Sequence, residues 1–222
     1  MQTDLEPTIE SGSGRVTEYI VSRDGTRIAY DDTGVGGDGP PLVLLHGGVI
    51  QTRTSWHDSG YVERLAQHHR VITIDLRGHG ESDHPVEPGA YSAGKLIADI
   101  QAVVDACGIA RFIVWGFSFG GTIALQLASR SEKVTGAIIG GSHFGPIFSK
   151  EDLEGLISSM EEMARAAGEE RWEDMTAEQR TFATQADLSV AVAIFKAFED
   201  WHGVEPGDLL CPAFVYCGSE NE

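Results

Sequence analysis

Basic residues are scarce in this sequence: Lys and Arg number 16 against 34 Asp and Glu, for a formal charge of −18 over 222 residues. Such a surface repels phosphate backbones and anionic headgroups, which argues against nucleic acid and membranes as partners. The acidity reads most simply as a solvated surface that keeps the protein in solution. No run is long and apolar enough to span a bilayer, and Met1-Gln2-Thr3-Asp4-Leu5-Glu6-Pro7 has neither the basic start nor the apolar stretch of a secretory signal. Cysteine is sparse as well: Cys107, Cys211 and Cys217 are odd in number, and the last two share an expected strand, about 20 Å apart and too far to bridge. A reducing cytoplasm is the expected location.

The 41% of apolar residues suffices for one sizeable core, and their arrangement points to an α/β fold. Residues 1–14 contain Ser11-Gly12-Ser13-Gly14 and little to bury, so they are expected to form a flexible tail. A core spanning 15–141 begins with two short β-type runs, Val16 to Val21 and Arg27 to Tyr30, joined by the hairpin signal Asp24-Gly25. Leu42 to Leu45, Val71 to Ile74, Phe112 to Trp115 and Val134 to Ile139 are continuous apolar runs of the kind buried on both faces of a parallel sheet. Helical stretches lie between them, the clearest at Leu96 to Cys107, with Gly108 as a stop signal. The sequence predicts a mostly parallel central sheet with an antiparallel N-terminal edge and flanking helices.

From about Ser149 to His202 the pattern is helix-forming, with Met160, Met163, Trp172, Phe182, Phe195, Phe198 and Trp201 scattered through it. Residues 142–210 are therefore expected to form an inserted helical cap and its return to the core. Its Met and aromatic side chains either line a pocket or pack the cap onto the core. Residues 211–222 bring one more core strand, Ala213 to Cys217, after Pro212.

Chemistry concentrates in Gly116-Phe117-Ser118-Phe119-Gly120, which matches the G-x-S-x-G pattern of a nucleophile elbow. A strand must turn sharply into a helix there, so the serine takes strained backbone at the apex and the glycines make room. A buried strand precedes it and a helix, expected over Thr122 to Ser129, follows. A second element, His46-Gly47-Gly48, ends the Leu42 to Leu45 strand, where a Gly-rich turn can expose N–H groups to an oxyanion.

Taken in order, Leu45-His46-Gly47-Gly48 with Trp56 downstream, then Asp75-Leu76-Arg77-Gly78-His79-Gly80-Glu81-Ser82-Asp83, then the elbow, resemble the α/β-hydrolase family. The subgroup it resembles holds small lid-bearing esterases, cofactor-free haloperoxidases and epoxide hydrolases. The resemblance runs from about Val16 to Cys217. It implies that Ser118 is the nucleophile, that Gly48 and Phe119 donate the oxyanion-hole N–H groups, and that no cofactor or metal is needed. It implies a small-molecule substrate and hydrolysis of an ester, lactone or similar acyl bond. A serine here sets the chain apart from the epoxide-hydrolase and dehalogenase branches, which use aspartate at this position. Arg77, His79 and Asp83 are read as scaffold.

The chain departs from the family pattern after the elbow. The resemblance places an acid at the turn Gly218-Ser219-Glu220-Asn221, where the expected position holds Asn221 and leaves Glu220 and Glu222 as substitutes. It places the catalytic histidine beyond Glu222, after a further strand and helix. His143 and His202 are read as pocket or core histidines. The expectation is a truncated hydrolase that is inactive or weakly active as it stands, with a non-catalytic ligand-binding or signalling protein on the same fold as the alternative.

Overall fold

The computed structural model describes residues 16–34 and 36–218. The expected tail at 1–14 and the candidate acids Glu220 and Glu222, with Asn221, lie outside the described residues.

Seven strands form one sheet among the described residues: β1 (Thr17–Val21), β2 (Arg27–Asp32), β3 (Leu42–Leu45), β4 (Val71–Ile74), β5 (Phe112–Phe117), β6 (Val134–Gly140) and β7 (Ala213–Tyr216). Their spatial order is β1-β2-β4-β3-β5-β6-β7. The first two pair antiparallel with each other, β2 pairs antiparallel with β4, and all other pairs are parallel. The hairpin turn falls at Asp24-Gly25 as its sequence predicts, and β2 runs two residues further than the apolar pattern shows because Asp31 and Asp32 pair with Thr73 and Ile72.

The period-2 geometry of strands sorts the apolar runs onto two faces. Val43, Leu45, Ile72 and Ile74 join the larger core with Ile97, Ile100, Val103 and Val104 of α3 (Ala93–Ala106) and Ile123 and Leu127 of α4 (Phe119–Ala128). Leu42, Leu44 and Val71 point the other way, against Trp56 of α1 (Thr54–Asp58) and Val62 of α2 (Tyr61–Leu65). This two-sided burial explains why β3 and β4 read as uninterrupted apolar runs.

Between β6 and β7 the chain inserts α5 (Lys150–Gly168), α6 (Ala177–Gln185) and α7 (Leu188–Ala197). Local sequence sets their starts: Ser149 accepts from the N–H of Asp152, Thr176 and Gln179 form a reciprocal capping box, and Asp187 accepts from the N–H groups of Ser189 and Val190. Leu153 and Ile157 of α5 and Val190, Ala193 and Ile194 of α7 belong to the main core. Met163, Met175 and Leu188 instead make a separate cluster, joined by Met160 and Phe182.

One expectation is corrected: the helix after the elbow begins at Phe119, not Thr122. Its first turn contains Gly120 and Gly121, poor helix formers, and tertiary packing overrides propensity there. A Cβ at Gly120 would lie 2.3 Å from the Leu45 carbonyl oxygen, and one at Gly116 only 2.1 Å from that of Gly120. Close approach of strand, turn and helix demands glycine at both.

Beneath the sheet's C-terminal end, the fully buried Arg77 guanidinium donates to both carboxylate oxygens of Asp99, at 2.6 Å each, to Asp24 at 2.9 Å and to the Ala90 carbonyl at 2.7 Å. Removing one member of such a pair strands a buried charge. Asp99→Ala is expected to lower the unfolding free energy by about 3–5 kcal/mol, read from urea unfolding at pH 7. A loss below about 1 kcal/mol would contradict the assignment of this pair as a closed buried unit.

Candidate active site

Ser118 occupies the bend between β5 and α4 with φ 51° and ψ −116°, a conformation an L-residue adopts only under constraint. Three backbone hydrogen bonds supply it: Ser118 N–H donates to the Gly140 carbonyl at 2.7 Å, Gly120 N–H to the His46 carbonyl at 3.1 Å, and Thr122 N–H to the Ser118 carbonyl at 2.9 Å. The side chain is exposed, and no hydrogen bond reaches Ser118 Oγ among the described residues.

The loop from His46 to Gln51 stands beside this bend. Gly47 N–H donates to Gln51 Oε1 at 2.9 Å, Val49 N–H to His79 Nε2 at 3.0 Å, and Ile50 N–H to the Gly48 carbonyl at 2.9 Å. Gly48 N–H has no acceptor among the described residues, and neither has Gln51 N–H at the end of the loop. Phe119 N–H, the first of α4, is likewise unpaired, as helix-initial amides are. Both residues, the donors expected from the sequence, line one cavity with Ser118, of about 330 Å³.

The opposite wall of that cavity is apolar and comes from the insertion. Ile194, Phe195 and Phe198, with Phe148 ahead of α5, face the serine. Phe198 also packs edge-on against Phe119 at 5.7 Å and Trp201 at 5.1 Å, and Trp201 Nε1 donates to the Tyr91 carbonyl at 3.0 Å. The aromatic side chains therefore divide: Phe195 and Phe198 line the cavity while they pack, Trp201 only packs, and the methionines lie in their separate cluster. Among the described residues, no Asp, Glu, Lys or Arg lines the cavity.

Of the two histidines that follow Ser118, His143 is exposed and lines the cavity, with Nδ1 2.9 Å from the Phe144 carbonyl. His202 does not join it. Its backbone carbonyl accepts from Gln126 Nε2, near the C-terminal end of α4.

Two other histidines shape the loop. His46 Nδ1 lies 2.6 Å from the Gly47 carbonyl, so it carries the proton, and Nε2 accepts from Leu76 N–H at 3.1 Å. His79 Nδ1 donates to the Arg77 carbonyl at 3.1 Å, which leaves Nε2 as the acceptor for Val49. Burial pushes both imidazoles down, His46 to about 4 and His79 to about 3, the latter also because His46 lies beside it. Both are neutral acceptors at pH 7. Nearby, Asp75 accepts from the N–H groups of Arg53 at 2.7 Å and Glu81 at 2.9 Å and pairs with the Arg53 guanidinium, which also meets Asp31 at 3.0 Å. Neither Arg53 nor Val49 carried a signal in the sequence. His79 did, within the stretch read as scaffold.

The family model described as alpha/beta hydrolase fold matches residues 40–191. The chain belongs to that family. Over 111 residues it is 35% identical to epoxide hydrolase 4 of Mus musculus, a match covering 50% of this chain and 30% of that protein. Among solved structures it resembles the bottromycin epimerase BotH in complex with bottromycin A2, with a TM-score of 0.69 and 26% identity over 90% of this chain and 79% of that one. It also resembles the esterase RhEst1 from Rhodococcus sp. ECU1013, with a TM-score of 0.62 and 25% identity over 91% of this chain and 80% of that one. The chain spans about a third of the length of the curated relatives it matches. These names cover three chemistries, so the reaction has to be argued from the site.

Two outcomes are expected. Gly120→Ala, which drives a Cβ into backbone, lowers stability by about 2 kcal/mol or more in urea unfolding. Because the two buried imidazoles titrate lower in the folded than in the unfolded state, their contribution is complete above pH 6.5 and falls as the pH drops toward their folded values. Between pH 7 and pH 5 each is expected to remove about 2 kcal/mol, measured as the change in unfolding free energy. A flat profile over that range would contradict their burial as neutral groups.

Proposed function

We propose that this chain carries a serine acyl-hydrolase site, carboxylesterase-like, for small uncharged esters or lactones. The observation that carries the reading is the pairing of an exposed Ser118 on strained backbone with two unpaired N–H groups, Gly48 and Phe119, on the same cavity wall. In this scheme Ser118 Oγ attacks the substrate carbonyl carbon and gives its proton to a base. The carbonyl π electrons move onto oxygen, where the two amides stabilise the charge. As the tetrahedral species collapses, the base returns that proton to the leaving oxygen, so the alcohol departs and an acyl-Ser118 remains, which water hydrolyses to the acid with the Ser118 hydroxyl restored. A donor of this kind contributes around 3–4 kcal/mol to kcat.

An apolar wall with no ionic group among the described residues favours an uncharged acyl compound, and the net charge of −18 further disfavours anions. Similarity to the esterase RhEst1 is consistent with this chemistry. With no imidazole bonded to Ser118 Oγ among the described residues, the chain alone is expected to turn over slowly. That same observation favours a second reading, a pocket of the same lining that holds a small apolar ligand without turnover.

Fluorophosphonate labelling with added imidazole as an external base separates them. Imidazole-dependent labelling that is lost in Ser118→Ala supports the hydrolase. No labelling in any buffer, together with a thermal shift on adding a neutral p-nitrophenyl ester that stays intact, supports the binding protein. Where labelling occurs, hydrolysis of neutral p-nitrophenyl butyrate is expected to exceed that of a succinate hemiester of the same phenol at least about tenfold in kcat/KM, for one desolvated charge.

A further inference from the structure

Val49 is a β-branched residue held at φ 63°, a left-handed conformation that costs about 1–2 kcal/mol for an L-residue and needs an external hold. It follows Gly48 directly, so the Val49 backbone sets the orientation of the loop that presents the Gly48 amide. The hold on it comes from a side chain 30 residues away: His79 Nε2 accepts the Val49 N–H at 3.0 Å. The ring cannot turn, because Nδ1 is committed to the Arg77 carbonyl at 3.1 Å, and the imidazole is buried between His46, with ring centroids 4.9 Å apart, and Phe119 at 6.0 Å. Arg77 is in turn fixed by Asp99. Neither nitrogen of His79 faces Ser118, so it is no candidate for the base.

We propose that His79 is a positioning residue for the oxyanion pocket: as a proton-free acceptor at Nε2 it holds the left-handed Val49 and keeps the Gly48 N–H turned to the cavity beside Ser118. This rests on the acyl-transfer reading above. It assigns a specific electrostatic task to a histidine inside what the sequence presents as a structural turn. His79 must be neutral and in the Nδ1–H form, since a protonated Nε2 would meet the Val49 N–H donor to donor. Burial, then the neighbouring His46 and His84, favour that neutral form, against the Arg77 carbonyl and Asp75, which favour the charged one.

The test compares His79→Phe, which keeps a ring but has no acceptor, with His79→Gln, whose Oε1 can reach the Nε2 position. The readout is the rate of Ser118 phosphonylation by a fluorophosphonate in imidazole buffer. A slowing of roughly 10- to 100-fold is expected for the phenylalanine variant, with the glutamine variant within a few-fold of the parent. In a Val49→Gly background, where a left-handed turn is unstrained, the His79→Phe effect is expected to shrink at least about threefold. Should His79→Phe not fold, His79→Leu in the Val49→Gly background replaces it. Independently, long-range imidazole ¹⁵N spectra of the parent at pH 7 should show a neutral Nδ1–H ring for His79. A parent and His79→Phe that label equally fast, or a ring protonated at Nε2, overturns the proposal while leaving the acyl-transfer reading intact. A parent that does not label at all overturns that reading, and this inference with it.

Discussion

The site hangs on the contact between two loops at the end of the parallel sheet, where Gly120 N–H donates to the His46 carbonyl while Ser118 N–H donates to that of Gly140. These bonds tie the strand-to-helix bend to its neighbours on both sides and hold Ser118 in a conformation worth about 1–3 kcal/mol of strain. They form only because glycine at 116 and 120 lets backbone meet backbone without a Cβ between. Loosen that contact, and the serine would relax into ordinary backbone while the Gly48 amide drifted from it.

Around this contact the molecule separates charge from reactivity. Arg53 and Arg77 are buried with Asp31, Asp75 and Asp99 in two ionic groups behind the loop and the Asp75 to Asp83 turn, where each buried cation has its carboxylates. Among the described residues, the cavity holds hydroxyls, one histidine and apolar side chains. Between the two zones lie His46 and His79, polar enough to accept backbone N–H groups and neutral enough not to project charge onto Ser118. An aspartate in either place would also accept, but would set a negative charge behind the region where an oxyanion develops.

The insertion between β6 and β7 does two jobs with one helix. Val190 and Ala193 of α7 are buried in the main core, whereas Phe195 and, just beyond the helix, Phe198 face the cavity. Phe198 touches Phe119, whose own backbone offers one of the free amides. Side chains that define the apolar wall thus rest on the residue that defines the polar one.

Strand identity was legible in the sequence because β3 and β4 are buried on both faces and leave continuous apolar runs, and because β5 and β6, with one face only half-buried, still carry enough apolar residues to read as strands. The hairpin was legible because Asp24-Gly25 has a local conformational reason to turn. Gly116 to Gly120 and His46 to Gly48 were legible as motifs because sharp bends and exposed amides restrict residue type at fixed spacing. The helix start at Phe119 was not, since two glycines in its first turn argue against helix locally and only the packing of backbone on backbone favours it. Nor were the left-handed Val49, the Arg53 group or the division of aromatics between lining and packing. Local chemistry determined which residues turn, cap and alternate. Which amide stays free, and which histidine holds its neighbour, depended on side chains dozens of positions apart meeting in space, and only the folded chain decides that.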